Sequence, residues 1–365
     1  MTNQTNIISV VIPCRNEELY IQQCVNSVRR FIIPENYQIE ILLLDGNSFD
    51  KTIEIIKKLQ EEDSSIKLIS NNEIYQSFAI NKALQFAKGE WIMRLDAHSI
   101  YPKNYLKLCL ETALRTKADN VGGLFITLPG GDSIQAKLVQ ALTTHKFGVG
   151  DAGFRTGEKE ESIVDTVPYG FFKRSLFEKI GLLDERLIRA QDYEFNRRIS
   201  SNGGKVWRNS EILVYYHNQP DLISFYKKQF YKEAPYNAYL WYVAPYAFAI
   251  RHAITGVFAG GIIIGGFLAI FFTAIKFLYF SILGLYFLLS FLSAIQQAVR
   301  YKQIKYILML PPCFFLYHFI HGIGVIVGVF KLLTKTAPVQ KDKIPWKGAE
   351  NFYQDKAKNL VLPRI

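Results

Sequence analysis

Three apolar runs near the end of the chain, Ile254–Ile275, Phe277–Gln296 and Ile307–Phe330, are each long enough for a helix across the hydrocarbon core of a bilayer. Only Lys276 separates the first two, and the short basic loop RYKQIK precedes the third. A buried soluble bundle is the alternative, and runs so nearly continuous argue against it. Before them lies an aromatic stretch containing APYNAYLWYVAPYAFAIRH, rich in Tyr and Trp as expected at a membrane interface. The expected organisation is therefore a soluble domain over 1–230, an interfacial segment over 231–253, about three hydrophobic helices over 254–335 and a basic tail over 336–365.

The net charge of +11 would suit a nucleic-acid partner, but its distribution does not. Residues 1–250 carry 30 Lys/Arg against 29 Asp/Glu, whereas residues 251–365 carry 13 against 3. The basic excess flanks the apolar runs, which is the pattern of segments facing an anionic membrane surface. No nucleic-acid partner is expected. Four cysteines without metal or redox spacing fit a reducing compartment. The N-terminal MTNQTNIISVVIPCRNEE lacks a basic region before its short apolar run, so the first domain is expected to stay in the cytoplasm. Three crossings would then carry the tail outside, yet Lys331 to Ile365 holds eight basic residues against three acidic. The positive-inside rule would keep that tail in, so one segment is expected to be re-entrant or interfacial, with the Pro311-Pro312 pair marking the third.

The first 100 residues alternate short apolar runs with amphipathic patterns. Ile7–Ile12, Glu40–Leu44, Lys67–Ser70 and Trp91–Leu95 read as strands covered on both faces, being continuous rather than alternating. Glu18–Phe31, Thr52–Gln60 and Ser77–Ala87 read as helices, with Asp50 placed to cap the second. The class is α/β, a doubly wound and mostly parallel sheet, and its ligands should lie beyond the carboxyl ends of the strands. Pro13 to Glu17, Asp45 and Asp96 all fall at such ends.

Asp96-Ala97-His98 places two ligand-competent side chains two apart at a strand end, where both can face a metal-bound diphosphate. Imidazole favours Mn²⁺ over Mg²⁺ as the divalent cation. The alternative is that Asp96 caps the next helix and His98 lies on the surface. Asp45 either accepts from a base or ribose edge or serves an ordinary turn, and Arg15 either stacks on a base or sits in solvent. Asp192, in RAQDYEFNRR, is a candidate general base; a helical ion pair with Arg197 or Arg198 is the structural option. His217 is a third metal ligand or a core histidine. The Gly-rich segment 147–174, with Arg155, Tyr169 and Gly170, suits a mobile cover.

Together these motifs resemble a family 2 glycosyltransferase of the GT-A fold. VVIPCRNE resembles the family's first nucleotide-binding strand and LLLDGNSFDKT its Asp-Asp-Gly-Ser-x-Asp turn. FAINKALQFAKGEWIMRLDAH resembles the run into its metal-binding Asp-x-Asp, and RAQDYEFNRR its Glu-Asp motif. The resemblance implies Pro13, Arg15, Asn16, Glu17, Asp45, Asn81 and Asp96 on the nucleotide sugar. It implies Asp96, His98 and His217 on the cation, and Asp192 as base with Gln191, Arg198 and the cover on the acceptor side. Within the family, the chain looks most like the non-processive glucosyltransferases of succinoglycan biosynthesis. That likeness implies a UDP-glucose donor, a polyprenyl-diphosphate-linked saccharide acceptor and a multi-pass place in the bacterial inner membrane. A lipid-phosphate sugar transferase and an inactive nucleotide-sugar-binding partner of a synthase are the alternatives. Two departures stand out: His98 replaces the last metal Asp, and Gln191 the Glu of Glu-Asp. No Gln-x-x-Arg-Trp motif follows residue 217, which argues against a processive polymerase.

Overall fold

The computed structural model describes residues 6–340. Its internal contacts divide these into two compact units, one drawn from 6–126 with 158–216, the other from 127–157 with 217–340. The division is not a single cut in sequence, because 127–157 groups with the C-terminal helices.

Within the first unit lies one sheet of nine strands: β1 (Asn6–Cys14), β2 (Tyr37–Asp45), β3 (Ile66–Ser70), β4 (Trp91–Arg94), β5 (Ser99–Ile100), β6 (Asn120–Leu128), β7 (Ser162–Ile163), β8 (Gly170–Lys173) and β9 (Val206–His217). Their order is β3-β2-β1-β4-β8-β6-β9-β5, with β7 beside β9. β1, β2, β3 and β4 run parallel, and β8 is antiparallel to both β4 and β6. The apolar runs become strands because helices cover both faces: Val10, Val11 and Ile12 of β1 and Ile41 to Leu44 of β2 are fully buried. Val11, Leu42, Leu44 and Ile92 share a core with Phe172, Phe177 and Phe195.

The helices Ile21–Val28, Thr52–Glu62 and Gln76–Phe86 appear where their patterns place them. Asp50 accepts from the Thr52 N–H at 3.0 Å, one residue ahead of the cap position. β1 is the switch point, since the chain proceeds outward through β2 and β3 and then returns to β4 on its other side. The loops after β1, β2 and β4 therefore open on one crevice.

The second unit contains three helical spans long and apolar enough to cross a membrane, Ile250–Phe271, Thr273–Tyr301 and Tyr306–Gln340. The third begins as an unbroken 28-residue helix, Tyr306–Leu333, that runs straight through Pro311 and Pro312. The chain does not reverse at the proline pair. Gly322, Gly324 and Gly328 lie on this helix where a Cβ would meet the Thr255 carbonyl, Phe230 and Pro235, so backbones approach closely. Polar groups find partners inside: the Tyr286 hydroxyl meets His318 Nδ1 at 2.8 Å and Thr255 Oγ1 meets His321 Nδ1 at 2.8 Å. Most of the basic tail, from 341 onward, lies outside the described residues. The cysteines Cys14, Cys24, Cys109 and Cys313 are free and buried.

At the N-terminal edge of the crevice-bearing strands, the buried Glu40 carboxylate accepts from Ser9 Oγ at 2.7 Å, the Lys88 N–H at 2.6 Å and Lys67 Nζ at 3.0 Å. Burial pushes its pKa up, but these hydrogen bonds outweigh it and hold the carboxyl below its ordinary value. A lowered folded pKa adds stability above the ordinary carboxylate value, and that stability is lost as pH falls through the lowered one. Glu40→Gln is expected to lower stability by about 1–3 kcal/mol at pH 7. Thermal melts of the detergent-solubilised chain should show the difference shrinking as pH falls below the ordinary carboxylate value.

Candidate active site

Asp45 ends β2 and is buried, 5% exposed. Its Oδ2 accepts from the Ser48 N–H at 3.1 Å, while Oδ1 is buried with no partner. A carboxylate oxygen left so costs free energy unless a ligand donor reaches it. Gly46 must be glycine, because a Cβ there would lie 2.8 Å from the Ile74 carbonyl. The loop leaving β1 is laced to this turn. Asn16, at φ 55°, donates its N–H to Ser48 Oγ at 2.9 Å and accepts from the Phe49 N–H at 3.1 Å. The Glu17 N–H reaches Thr52 Oγ1 at 2.7 Å. Pro13 is half-buried at the end of β1, and Arg15 beside it is exposed, with no hydrogen-bond partner among the described residues.

Asp96 follows β4. It does not cap the next helix, which begins at Tyr105 behind Asn104. Its backbone is fixed instead, by hydrogen bonds between the Tyr101 hydroxyl and both its N–H and its carbonyl, at 2.7 and 3.1 Å. Its Oδ1 accepts from Arg94 Nη2 at 2.8 Å and from Gln76 Nε2 at 2.9 Å. Arg94 is buried, 6% exposed, with its guanidinium 4.9 Å from the Tyr169 ring centroid. Burial alone would pull the Arg94 pKa down; the charges of Asp96 and Asp192 hold it up. Two aspartates that are 96 residues apart in sequence thus act on one buried cation.

Gln191 opens the helix Gln191–Ser201 and gives its Nε2 to Gln76 Oε1 at 2.5 Å. Asp192 is half-buried, with its Oδ1 on the Tyr193 N–H at 2.8 Å. No carboxylate–Arg198 pair involves Asp192, so the helical ion-pair option with that arginine falls away. His98 Nδ1 lies 3.1 Å from Glu17 Oε1, and its ring is 5.8 Å from that of Tyr216.

A model of glycosyl transferase family 2 matches residues 9–181. The chain is 30% identical over 232 residues to the dolichyl N-acetyl-alpha-D-glucosaminyl phosphate 3-beta-D-2,3-diacetamido-2,3-dideoxy-beta-D-glucuronosyltransferase of Methanococcus voltae, covering 61% of this chain and 70% of that one. It belongs to glycosyl transferase family 2. Succinoglycan biosynthesis protein ExoA of Rhizobium meliloti (strain 1021) is 28% identical over 223 residues, 60% of this chain and 66% of that protein. Among solved structures, S. aureus TarS 1-349 in complex with UDP-GlcNAc aligns with a TM-score of 0.47 and 17% identity over 86% of this chain and 90% of that one. The family and the observed mixed sheet agree with the expected GT-A fold, and the chain is a glycosyltransferase.

Several residues expected at the ligand make hydrogen bonds within the protein. Asn81 is buried and donates to the Leu183 carbonyl and to Glu185 Oε1, both at 2.9 Å, while accepting from the Leu183 N–H at 3.0 Å. Its amide is spent on the turn ahead of Asp192 rather than offered to a nucleotide. Arg198 is likewise turned inward, with Nε on Glu194 at 2.8 Å and Nη1 on the carbonyls of Ile180 and Leu182. An acceptor contact would need donors that it has already placed. Nor is 147–174 one loose cover. Gly170 starts β8 and pairs with Arg94, and Tyr169 is buried with its hydroxyl 2.6 Å from Ser99 Oγ. A Cβ at Gly170, where φ is 145°, would meet the Phe172 ring at 2.1 Å. Arg155 lies in the one-turn helix Gly153–Thr156, 5.2 Å from the Phe154 ring, in the second unit. His217 also falls there, with Nδ1 3.5 Å from the Pro129 carbonyl. Among the described residues no group of three His, Cys, Asp or Glu side chains could hold a metal.

Arg94 and Gln76 were not expected. A charge inside the otherwise apolar WIMRL was the available signal, since arginine is almost never buried unless paired. Asn81→Ala should lower stability by about 2–3 kcal/mol, the scale for stranding buried partners. Thermal unfolding together with nucleotide-sugar affinity checks this: scaffolding predicts a lower Tm and unchanged affinity, a ligand contact the reverse.

Proposed function

We propose that this chain is a membrane-anchored, non-processive, inverting glycosyltransferase that moves a hexose, glucose in the first instance, from a UDP-sugar to a lipid-linked saccharide. The observation that carries this reading is Asp96, held through Oδ1 by the buried Arg94 beside the switch point of the sheet, with Asp192 as a second carboxylate whose charge also acts on that guanidinium. One aspartate is anchored by its backbone and by two side-chain donors. The other is half-buried and pairs with neither arginine nor lysine through any described salt bridge, which suits a base.

In the proposed step, Asp192 takes the proton of the acceptor hydroxyl as its oxygen bonds to the anomeric carbon. The bond from that carbon to the diphosphate breaks, and its electron pair leaves with UDP. Single displacement inverts the anomeric configuration. Asp45 Oδ1, buried and unpartnered, is placed for a donor on the base or ribose, and the exposed Arg15 is beside it in sequence order with Pro13. Asp96 Oδ2 takes neither of the bonds made by Oδ1, which leaves one carboxylate oxygen for a divalent cation. Cations of this kind are commonly held by one or two carboxylates plus substrate phosphates, so a complete protein shell is not required. His98, oriented through Nδ1 by Glu17, is the second candidate ligand and inclines the choice to Mn²⁺. When bound, the cation neutralises charge on the departing diphosphate.

The lipid-linked acceptor is supported by the Methanococcus relative, a transferase to a dolichyl-linked sugar phosphate, and a surface-glycan setting by the succinoglycan relative. The three apolar helices would hold the catalytic domain at the cytoplasmic face of the cell membrane, where such acceptors are concentrated.

Release of UDP or GDP from a panel of nucleotide sugars, with and without Mn²⁺, tests the donor; activity only with a GDP-sugar would overturn it. Asp192→Asn should lower transfer by about 10²–10⁴-fold while donor binding persists. An Asp192→Asn enzyme of full activity would instead favour transfer to a lipid phosphate, which needs no strong base.

A further inference from the structure

The side chains of Asp96, Gln76 and Gln191 form a chain of hydrogen bonds whose direction is fixed from one end. A carboxylate only accepts, so Gln76 must turn its NH₂ toward Asp96 Oδ1, as it does at 2.9 Å. Its carbonyl then faces Gln191, which must present its own NH₂, at 2.5 Å. The far end of the chain is Gln191 Oε1, and it is buried with no partner, on a side chain only 5% exposed. Neither amide can be flipped without setting two acceptors against each other. The polarity is therefore set by Asp96, and what remains at the far end is one acceptor that lacks a donor.

The same logic accounts for glutamine at 191 where the family pattern reads Glu. A carboxylate at 191 would face the Gln76 carbonyl, an acceptor, because the NH₂ of that amide is turned to Asp96.

We infer that Gln191 Oε1 accepts a hydrogen bond from a hydroxyl of the sugar being transferred, making Gln191 a specificity residue for a neutral, hydroxyl-bearing donor sugar. The inference rests on the donor site proposed above. Gln191 stands one amide from Asp96 and one residue from Asp192, and the transferred sugar must lie between the diphosphate and the base. An acceptor that is buried and unpaired raises the free energy of the empty site by a hydrogen bond's worth of desolvation, and a hydroxyl returns it. A sugar lacking that hydroxyl leaves the defect in place, and a site built to bind a hydroxyl discriminates strongly on this ground.

The test combines donor analogues with one substitution in the full-length, detergent-solubilised protein. Binding of UDP, UDP-glucose and its 2-, 3-, 4- and 6-deoxy analogues is measured for the unmodified protein and for Gln191→Met, which keeps size but cannot accept well. One deoxy analogue should bind about tenfold more weakly than UDP-glucose to the unmodified protein. That difference should fall to within about twofold in Gln191→Met, whose affinity for UDP alone is unchanged. Retained UDP binding shows that the variant is folded. Gln191→Glu should also lose the preference, because a carboxylate there would oppose the Gln76 carbonyl, acceptor against acceptor. A deoxy profile identical in both proteins overturns the inference and assigns the Gln191 oxygen to a buried water; UDP-glucose binding no tighter than UDP overturns it as well. Failure of the unmodified protein to bind UDP at all removes the donor reading itself, a different result from either.

Discussion

A guanidinium sealed inside a β-sheet is tolerable only if its charge and its N–H groups are met, and Arg94 organises the proposed catalytic end of this transferase by that requirement. Its demand for a carboxylate pins one oxygen of Asp96. Its face takes the Tyr169 ring, and its backbone pairs with Gly170, which only glycine can occupy without striking Phe172. The antiparallel β8 thus lies beside the parallel strands where Arg94 pairs with Gly170. Removing the charge would strand Asp96, and removing Asp96 would strand the charge.

Much of the first unit was legible in sequence because parallel strands covered on both faces are mostly apolar, and β1, β2 and β4 each carry a continuous apolar run. Asp45, Asp96 and Asp192 stood out as carboxylates at element ends, and the first two do end or follow strands. Polar residues inside the same motifs were harder to read. Asn81 and Arg198 look like ligand contacts in a string of letters, yet both satisfy backbone carbonyls across turns more than 15 residues away in sequence. Which atoms need a partner is decided by burial, and burial belongs to the fold. Arg94 escaped notice for the opposite reason, being hidden in a run that otherwise reads as plain core.

The boundary between units was also beyond the reach of composition. Residues 127–157 resemble the preceding α/β region in composition, but Leu138 and Leu142 pack with Phe225, Leu310 and Phe314. Gln297 Nε2 reaches the Ala141 carbonyl, so the helix Ile134–Thr143 is bound to the apolar helices by polar as well as apolar contacts. The Pro311-Pro312 pair is a different case. Proline at the sixth and seventh positions of this helix removes the bonds to the Ile307 and Leu308 carbonyls, yet the helix continues through the pair.

The lacing of the β1 loop to the turn after β2 has a consequence for how such enzymes diversify. Asn16, Glu17 and Glu18 exchange hydrogen bonds with Ser48, Phe49, Asp50, Lys51 and Thr52. Neither loop holds its shape alone, so a graft of one from a relative would arrive without its template. In recombination, the two behave as a single heritable cassette although about 30 residues separate them, and their amides should open to solvent exchange together rather than one loop at a time.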